Sequence, residues 1–385
     1  MSTNFFKTAN MIVEKIEDAG FEAYIVGGAV RDHLLNRGVH DIDITTSAPC
    51  EKIKEIFSHT ADVALKHGTV IVCYNGEAFE VTTYRGQTLI EDLKLRDFTI
   101  NAMVLTKAGD IIDPYLGRED IKHRLIRGVV NPRERFREDP LRMLRSFRFV
   151  SQLGFSIDQT TFAAIQSESS QITKVAIERI ASEFEKIFLG ANAKKAFQLL
   201  NSSSISCEIP QLKEISKSLS DDNVIFSISS LKNITEVWSL LLFISEVQDC
   251  QTFLRCWKQP KKVINEVDSM ISRLPMLLKR GFNEEDLYFL GLETVEKAER
   301  VRALLKNEAP NIHKVTSQYY SLPIKDKKQL AINGTDIIDL LKDEKPKERI
   351  GQVISLVEKA VLTQVVENKK KAIIHWLREE GYVNA

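Results

Sequence analysis

Two short strings near the start of the chain carry residue types suited to chemistry. Asp41-Ile42-Asp43-Ile44-Thr45 alternates as a half-buried strand does, so Asp41 and Asp43 point to one side while Ile42 and Ile44 turn to a core. Two such carboxylates repel, which raises a pKa unless a proton, an arginine or a metal cation lies between them. Oxygen-only ligands with open positions suit Mg²⁺ or Mn²⁺ rather than zinc. Upstream, Gly27-Gly28 ends an apolar strand, Phe21 to Val26, and releases a helix that carries Arg31 in its first turn. A Gly pair lets a phosphate approach the backbone at a helix N-terminus, and Arg31 supplies a cation for it. A DxD alone is more often a solvent-facing pair, and a Gly pair alone only a turn. Together, at this spacing, they point to nucleotidyl transfer on a metal-bound triphosphate.

The elements that hold these residues follow from periodicity and turn chemistry. Residues 1 to about 121 alternate helix and strand. Ser47 to Ser58 reads as a helix, and Lys66-His67-Gly68-Thr69 as a turn before the strand Val70 to Tyr74. Asn75-Gly76 then signals a hairpin into Ala78 to Tyr84, which carries Glu80 between Phe79 and Val81. From Leu95 to Met103, Arg96, Asp97 and Asn101 interrupt an apolar run and suit a pocket wall: Arg96 for phosphate or ribose, Asp97 and Asn101 for sugar hydroxyls. Asp113 to Ile121 reads as a turn leading out of the sheet. In Arg133 to Phe155, Asp139 suits a helix N-cap, Pro140 the first helical position and Gly154 the stop, with Arg142 and Arg145 on a basic face. Thr173 to Leu189 is helical and Ser202 to Asn223 reads as a connector. Helix then follows helix to Ala385, with breaks near Pro260, Pro275, Pro310 and Pro346 and no fixed repeat. The fold class is α+β: a head with a mixed sheet, then an all-α neck, body and tail.

At 385 residues the chain exceeds one hydrophobic core, and its 53 basic residues balance 53 acidic ones. Bulk charge therefore announces no nucleic-acid partner, which would need local strips such as Lys194-Lys195, Lys261-Lys262, Lys279-Arg280 and Lys369 to Lys371. Five cysteines without a CxxC pair read as reduced thiols of a cytoplasmic protein. The first helix is amphipathic and interrupted by charges, unlike a signal peptide, and no apolar run is long enough to cross a bilayer.

The string Gly27-Gly28-x-x-Arg31-Asp32 followed by Asp41-x-Asp43-Ile44 resembles the GGxxRD and DxDI motifs of polymerase-β-like nucleotidyltransferases, in the form shared by class II tRNA nucleotidyltransferases and bacterial poly(A) polymerases. The resemblance implies that Asp41 and Asp43 hold Mg²⁺ and that Glu80, in FEVTT, is a third active-site carboxylate. Arg96, Asp97 and Asn101 match RRDxxxNA, whose first Arg is Leu95 here. Asp113, Pro114, Gly117, Asp120 and Ile121 match DPxxGxxDI, an architectural hinge. Glu138, Asp139 and Arg142 match EDxxR, in which the Asp accepts from the exocyclic amino group of cytosine or adenine and the Arg donates to the ring. Arg145 is then a candidate for the triphosphate, and Glu178 and Arg179 brace the neck. The implied organisation is a catalytic head over 1–121, a base-recognising neck over 122–190, a body over 191–280 and a tail over 281–385, the last two binding tRNA at its acceptor stem and elbow. Ile332 to Asp336 and Arg349 to Gly351 resemble tail segments of the tRNA-specific branch.

Members that build the whole CCA end carry a flexible loop between the third-carboxylate strand and the RRD-like motif. Here only Arg85 to Leu89 remains free, which closes a turn but does not cross a pocket. That interval resembles the CC-adding subgroup, which takes CTP and stops after two cytidines. The alternative is a full CCA-adding enzyme using CTP and ATP. More distant alternatives are a poly(A) polymerase, an A-adding enzyme and a non-catalytic RNA-binding module.

Overall fold

The computed structural model describes residues 2–39, 41–64, 68–221, 228, 230–341 and 346–383, so the Lys66-His67 part of the expected turn lies outside the described residues. Strands β1 (Ala23–Val26), β2 (Asp43–Thr46), β3 (Thr60–Ala64), β4 (Thr69–Tyr74), β5 (Glu77–Thr83), β6 (Val104–Leu105) and β7 (Ile111–Ile112) form a mixed sheet in the order β3-β4-β5-β2-β1-β6-β7. β2 runs antiparallel to β1 and parallel to β5, in a register that sets Asp43 opposite Glu80. Asn75 (φ 51°) and Gly76 (φ 79°) make the two-residue turn between β4 and β5, both left-handed as the twist of a tight hairpin demands.

Helix α1 (Ser2–Asp18) buries Ala9, Ile12, Val13 and Ile16, a 3.6-residue stripe, against Ile25, Ile44, Val70, Val72, Phe79 and Val81 of one sheet face. Helix α2 (Gly28–Leu34) leaves the end of β1, and α3 (Cys50–Ile56) adds Ile53 to the same core. The opposite face carries Val26, Tyr84, Ala102 and Val104, closed by Leu89 and Leu93 of α4 (Leu89–Lys94) and by Val129. Helix α5 (Gly117–Lys122) begins where the Asp113 carboxylate accepts from the backbone N–H groups of Gly117 (2.7 Å) and Arg118 (2.8 Å), which satisfies donors that a helix start leaves open.

Helices α6 (Pro132–Glu138), α7 (Leu141–Leu153), α8 (Gln159–Glu168), α9 (Ile177–Phe188) and α10 (Ala193–Asn201) follow in the same compact unit, which spans Met1–Ser229. Gly154 ends α7 in the left-handed region (φ 73°), as expected. The start of α7 differs from expectation: Pro140 is the N-cap, and Asp139 is instead the C-cap of α6, though its Oδ1 still accepts from the Leu141 N–H at 3.2 Å. The Ser-rich stretch after 202 is not a connector in its described part. It forms α11 (Ile205–Glu208) and α12 (Pro210–Ser220), because Pro210 suits a first helical position and Leu212, Ile215 and Leu219 recur on one buried face; residues 222–223 lie outside the described residues.

The second unit, Ser230–Ala385, contains α13 (Ile234–Ile244), α14 (Cys250–Cys256), α15 (Lys261–Arg280), α16 (Glu284–Leu305), α17 (Ile312–Tyr320), α18 (Gly334–Leu341), α19 (Pro346–Leu362) and α20 (Lys370–Glu379). Pro260 caps α15 and Pro346 opens α19, but Pro275 lies inside α15 rather than ending it. Glu236 of α13, fully buried, is neutralised by Arg300 of α16 at 2.7 Å. Among the described residues no helix is long and apolar enough to cross a membrane.

The backbone that carries Asp97 and Asn101 is held from behind by Gly117. A Cβ there would lie 2.3 Å from the Thr99 carbonyl oxygen and 2.9 Å from Met103 Sδ. Gly117→Ala is therefore expected to destabilise the first unit by about 1–3 kcal/mol, read as a lowered urea midpoint for that unit.

Candidate active site

The site begins where β1 ends. Gly27 caps α2 with φ 75° and ψ −130°, a conformation open to glycine, and a Cβ on it would sit 3.1 Å from Arg96 Nη1 and 3.9 Å from Asp43 Oδ2. Glycine at 27 is thus what lets the end of β1 turn and lie this close to Arg96. Asp43 opens β2 and Asp41 precedes the strand; both line one cavity, with Glu80 beside Asp43 on the neighbouring strand. Burial pushes the Asp43 carboxyl up to about 6, helped by the charges of Glu80 and Asp41 and opposed by Arg96 and Arg145. Among the described residues no three His, Cys, Asp or Glu side chains converge as a ready metal cage. A cation held here would take oxygens from Asp41 and Asp43 and the remainder from a substrate, the usual arrangement for Mg²⁺ with phosphates.

The polar wall facing these carboxylates is a bonded chain. Arg31, 8% exposed, donates from Nη1 to Asn101 Oδ1 at 2.7 Å and pairs with Asp32 at 2.8 Å. Asn101 Nδ2 donates to Asp97 Oδ1 at 3.0 Å, and the backbone N–H of Phe98 reaches the same oxygen at 2.8 Å. Arg145, reaching over from α7, pairs through Nη2 with Asp97 Oδ2 at 2.6 Å. Burial alone would raise the Asp97 pKa, but Arg145 and the donors from Asn101 and Phe98 outweigh it and hold the carboxyl below its ordinary range. A single 3₁₀ turn, Thr99–Asn101, brings Asn101 back over Asp97. Arg96 is anchored by the fully buried Asp92 at 3.4 Å.

Asp139 and Arg142 close the far side. Asp139 Oδ2 pairs with Arg179 Nη2 at 2.9 Å; Arg142 donates from Nη2 to the Leu95 carbonyl at 3.0 Å and pairs with Glu138 at 3.1 Å. The contact at residue 95 is made by its main chain, so it survives leucine at that position. Most of these groups border a cavity of about 540 Å³ lined by Gly27, Gly28, Arg31, Asp41, Asp43, Arg85, Arg96, Asp97, Asn101, Asp139, Arg142 and Arg145 among others. That volume holds a nucleotide.

A family described as "Poly A polymerase head domain" matches residues 23–127, "Probable RNA and SrmB- binding site of polymerase A" matches 154–216, and "tRNA nucleotidyltransferase domain 2 putative" matches 229–377. The chain is 37% identical over 392 residues to the CCA-adding enzyme of Geobacillus sp. (strain WCH70), covering 97% of this chain and 96% of that one. It is 38% identical over 396 residues to that of Geobacillus stearothermophilus, covering 98% and 97%. The chain belongs to the class II tRNA nucleotidyltransferases. The crystal structure of the Bacillus stearothermophilus CCA-adding enzyme in complex with CTP superposes with a TM-score of 0.91 at 38% identity, covering 97% of each chain. The Thermotoga maritima CCA-adding enzyme complexed with tRNA shares the fold at a TM-score of 0.62 and 21% identity.

For this nucleotidyltransferase the structure brings eleven of the twelve sequence-derived site residues to the wall of one cavity, with Glu80 one strand away. It adds three arginines that sequence reasoning did not place there. Arg148 lines the cavity, its Nε 3.1 Å from Glu183 Oε2 without hydrogen-bond alignment. Its signal was available, one helical turn past Arg145 on the Arg142-Arg145 face. Arg179, expected only to brace the neck, faces the cavity through Asp139. Arg85 enters from the connection between β5 and α4.

The shifted Asp43 pKa sets a pH dependence. The folded state keeps a proton up to about pH 6 that the unfolded chain, titrating near 3.8, has lost, so metal-free stability falls as pH rises from 4 through 6. Asp43→Asn removes that loss. Thermal melts in EDTA should find the variant more stable than the parent at pH 7.5, by up to about 3 kcal/mol, with the gap closing below pH 4.

Proposed function

We propose that this protein transfers CMP from CTP to the 3′ end of tRNA with release of pyrophosphate. The observation that carries it is the convergence, in one nucleotide-sized cavity, of Asp43 at the start of β2 and Asp41 just before it with an arginine wall and the Asp139–Arg142 helix start. Asp41 and Asp43 would hold Mg²⁺, whose chemistry here is to offset charge at the α-phosphate and on the departing pyrophosphate. The fit is supported by oxygen-only donors and by the crowding of a buried Asp43 carboxylate with the like charges of Glu80 and Asp41. Glu80 is the third carboxylate of the group. Arg31, Arg96 and Arg145 bind the triphosphate, with Gly27 and Gly28 giving it access to backbone; Asp97 and Asn101 hold those arginines and border the sugar. Asp139 and Arg142 read the base edge, exchanging their present partners Arg179 and Glu138 for a nucleobase. The head is assigned to 1–121, the neck to 122–190, and body and tail, 191–280 and 281–385, to the acceptor stem and elbow of tRNA. Five free cysteines and the lack of a membrane-crossing helix among the described residues fit a cytoplasmic enzyme.

Two end points compete. The names of the relatives, matched over 97–98% of this chain, favour a complete CCA end made from CTP and ATP. One specific observation favours a stop after two cytidines. The connection from β5 to α4 is five residues, 84–88, and is bonded along its length: Tyr84 to Glu22 (3.0 Å), Arg85 N–H to Asp92 (3.1 Å), Gln87 N–H to Glu91 (2.7 Å) and Thr88 as the cap of α4.

The deciding assay supplies tRNA lacking its last three nucleotides with CTP and ATP together and sequences the product ends. Products ending in CC would support the reading from the short connection; efficient addition of the terminal A returns the assignment to the complete CCA end. No incorporation of any nucleotide would leave an RNA-binding module. In the same assay Asp139→Ala or Arg142→Ala is expected to raise UTP incorporation relative to CTP roughly tenfold to hundredfold, the loss of one half of an edge readout worth about 1–3 kcal/mol. Unchanged rejection of UTP would reduce Asp139 to a helix-end contact.

A further inference from the structure

Three of the cavity's guanidiniums gather on one aromatic ring. Phe149 of α7, 3% exposed, has the Cζ atoms of Arg148, Arg31 and Arg145 at 4.6, 5.0 and 5.8 Å from its ring centroid. All lie within the reach of a cation–π attraction. Arg31 comes from α2 in the head, while Arg145 and Arg148 come from α7, so the ring is where cations from two parts of the unit meet. Phe98, next to Asp97, packs edge-on against the same ring at 5.7 Å and 88°.

Each of these arginines also has a carboxylate: Asp32 for Arg31, Asp97 for Arg145, and Glu183 within 3.1 Å of Arg148. A carboxylate fixes one edge of a guanidinium; Arg31 is held further through Nη1 by Asn101, whereas Arg145 and Arg148 can still pivot about the edge their carboxylates hold. A π face fixes the plane. The ring also attracts cations without cancelling their charge, whereas a further carboxylate would compete with an incoming phosphate. An aliphatic side chain of similar bulk fills the same space and provides neither effect.

We infer that Phe149 is a positioning residue of the nucleotide site, a π platform that aligns Arg31, Arg145 and Arg148 for the triphosphate. The inference rests on the proposed nucleotidyl-transfer reading for its ligand. Its test separates the ring's electrostatics from its volume. Phe149 is replaced, in the full-length chain, by 4-fluoro-, 3,5-difluoro- and 3,4,5-trifluorophenylalanine, which drain the π face in steps at nearly constant shape, alongside Phe149→Leu and Phe149→Tyr. Kd for CTP and for inorganic tripolyphosphate is measured for each, with KM and kcat for cytidine addition to tRNA and the thermal midpoint.

The expected result is a stepwise rise of both Kd values and of KM, reaching about tenfold at the trifluoro ring, with kcat within about twofold and the midpoint unmoved. Phe149→Leu should weaken binding at least as much as the trifluoro ring, and Phe149→Tyr should keep parental affinity. A flat fluorination series would overturn the inference, even with an impaired leucine variant, because packing alone would then explain Phe149. A parent that binds CTP but extends no tRNA would overturn the functional reading and leave the series readable on Kd. Failure of the parent to bind CTP or tripolyphosphate would overturn both.

Discussion

The pocket depends on one carboxylate. Asp97 is 7% exposed and accepts from a backbone N–H, from Asn101 and from Arg145, and through Asn101 it is linked to Arg31. Its segment belongs to the sheet-bearing half of the unit and Arg145 to α7, so this ion pair, with the Arg142 bond to the Leu95 carbonyl and the Phe98–Phe149 packing, ties the sheet side of the cavity to α7. Removing Arg145 would leave the buried Asp97 carboxylate without its cation, a penalty larger than the pair's own net worth. The segment behind Asp97 is secured in turn by Thr99 donating to Asp120 at 2.6 Å and by Arg127 pairing with that carboxylate at 3.1 Å. The DPxxGxxDI match therefore acts on the site through Asp120, a position that touches no part of the cavity.

Net charge says nothing about this site and local charge says a great deal. The chain balances to zero, yet the cavity is bordered by seven arginines and five aspartates. Three of the aspartates, Asp32, Asp97 and Asp139, pair with arginines, and Asp41 and Asp43 stand together across the cavity, so the surplus is presented as N–H forks in one recess. A polyanion that brings its own metal suits that arrangement better than a neutral ligand, because field lines confined by low-dielectric walls act over the full length of a triphosphate.

What was legible in the sequence divides along physical lines. Asp41, Asp43 and the Gly27-Gly28 turn stand close together in the chain, and strand alternation with glycine freedom was enough to place them. The Asn75-Gly76 hairpin was equally local. Leu95 to Met103 was recognisable as a wall because its polar residues spoil an otherwise buried run. Partners distant in sequence were not legible: that Arg145 reaches Asp97, that Arg179 faces Asp139, and that Arg31, Arg145 and Arg148 share Phe149 are results of α7 docking beside the 3₁₀ turn. The helix α12 was missed because serines diluted its buried stripe, and β3 because its pairing with β4 includes a register shift between Ala61 and Ala64 that breaks a simple alternation.

Asp92 explains why the connection after β5 behaves as part of the wall. It is fully buried, and Thr45 of β2 (3.2 Å), the backbone N–H of Arg85 (3.1 Å) and Arg96 (3.4 Å) all direct donors at it. Lifting the connection would withdraw the Arg85 donors from a buried carboxylate and weaken the geometry that holds Arg96. Leaving such an acceptor short costs about 1–3 kcal/mol per contact. A Cβ on Gly86 would come within 2.5 Å of Glu91 Cβ, so the turn is also packed directly against α4. A long loop in this place would be free to move without disturbing the cavity wall. Here the same carboxylate serves both, so any rearrangement of the connection is opposed by the geometry of the site itself.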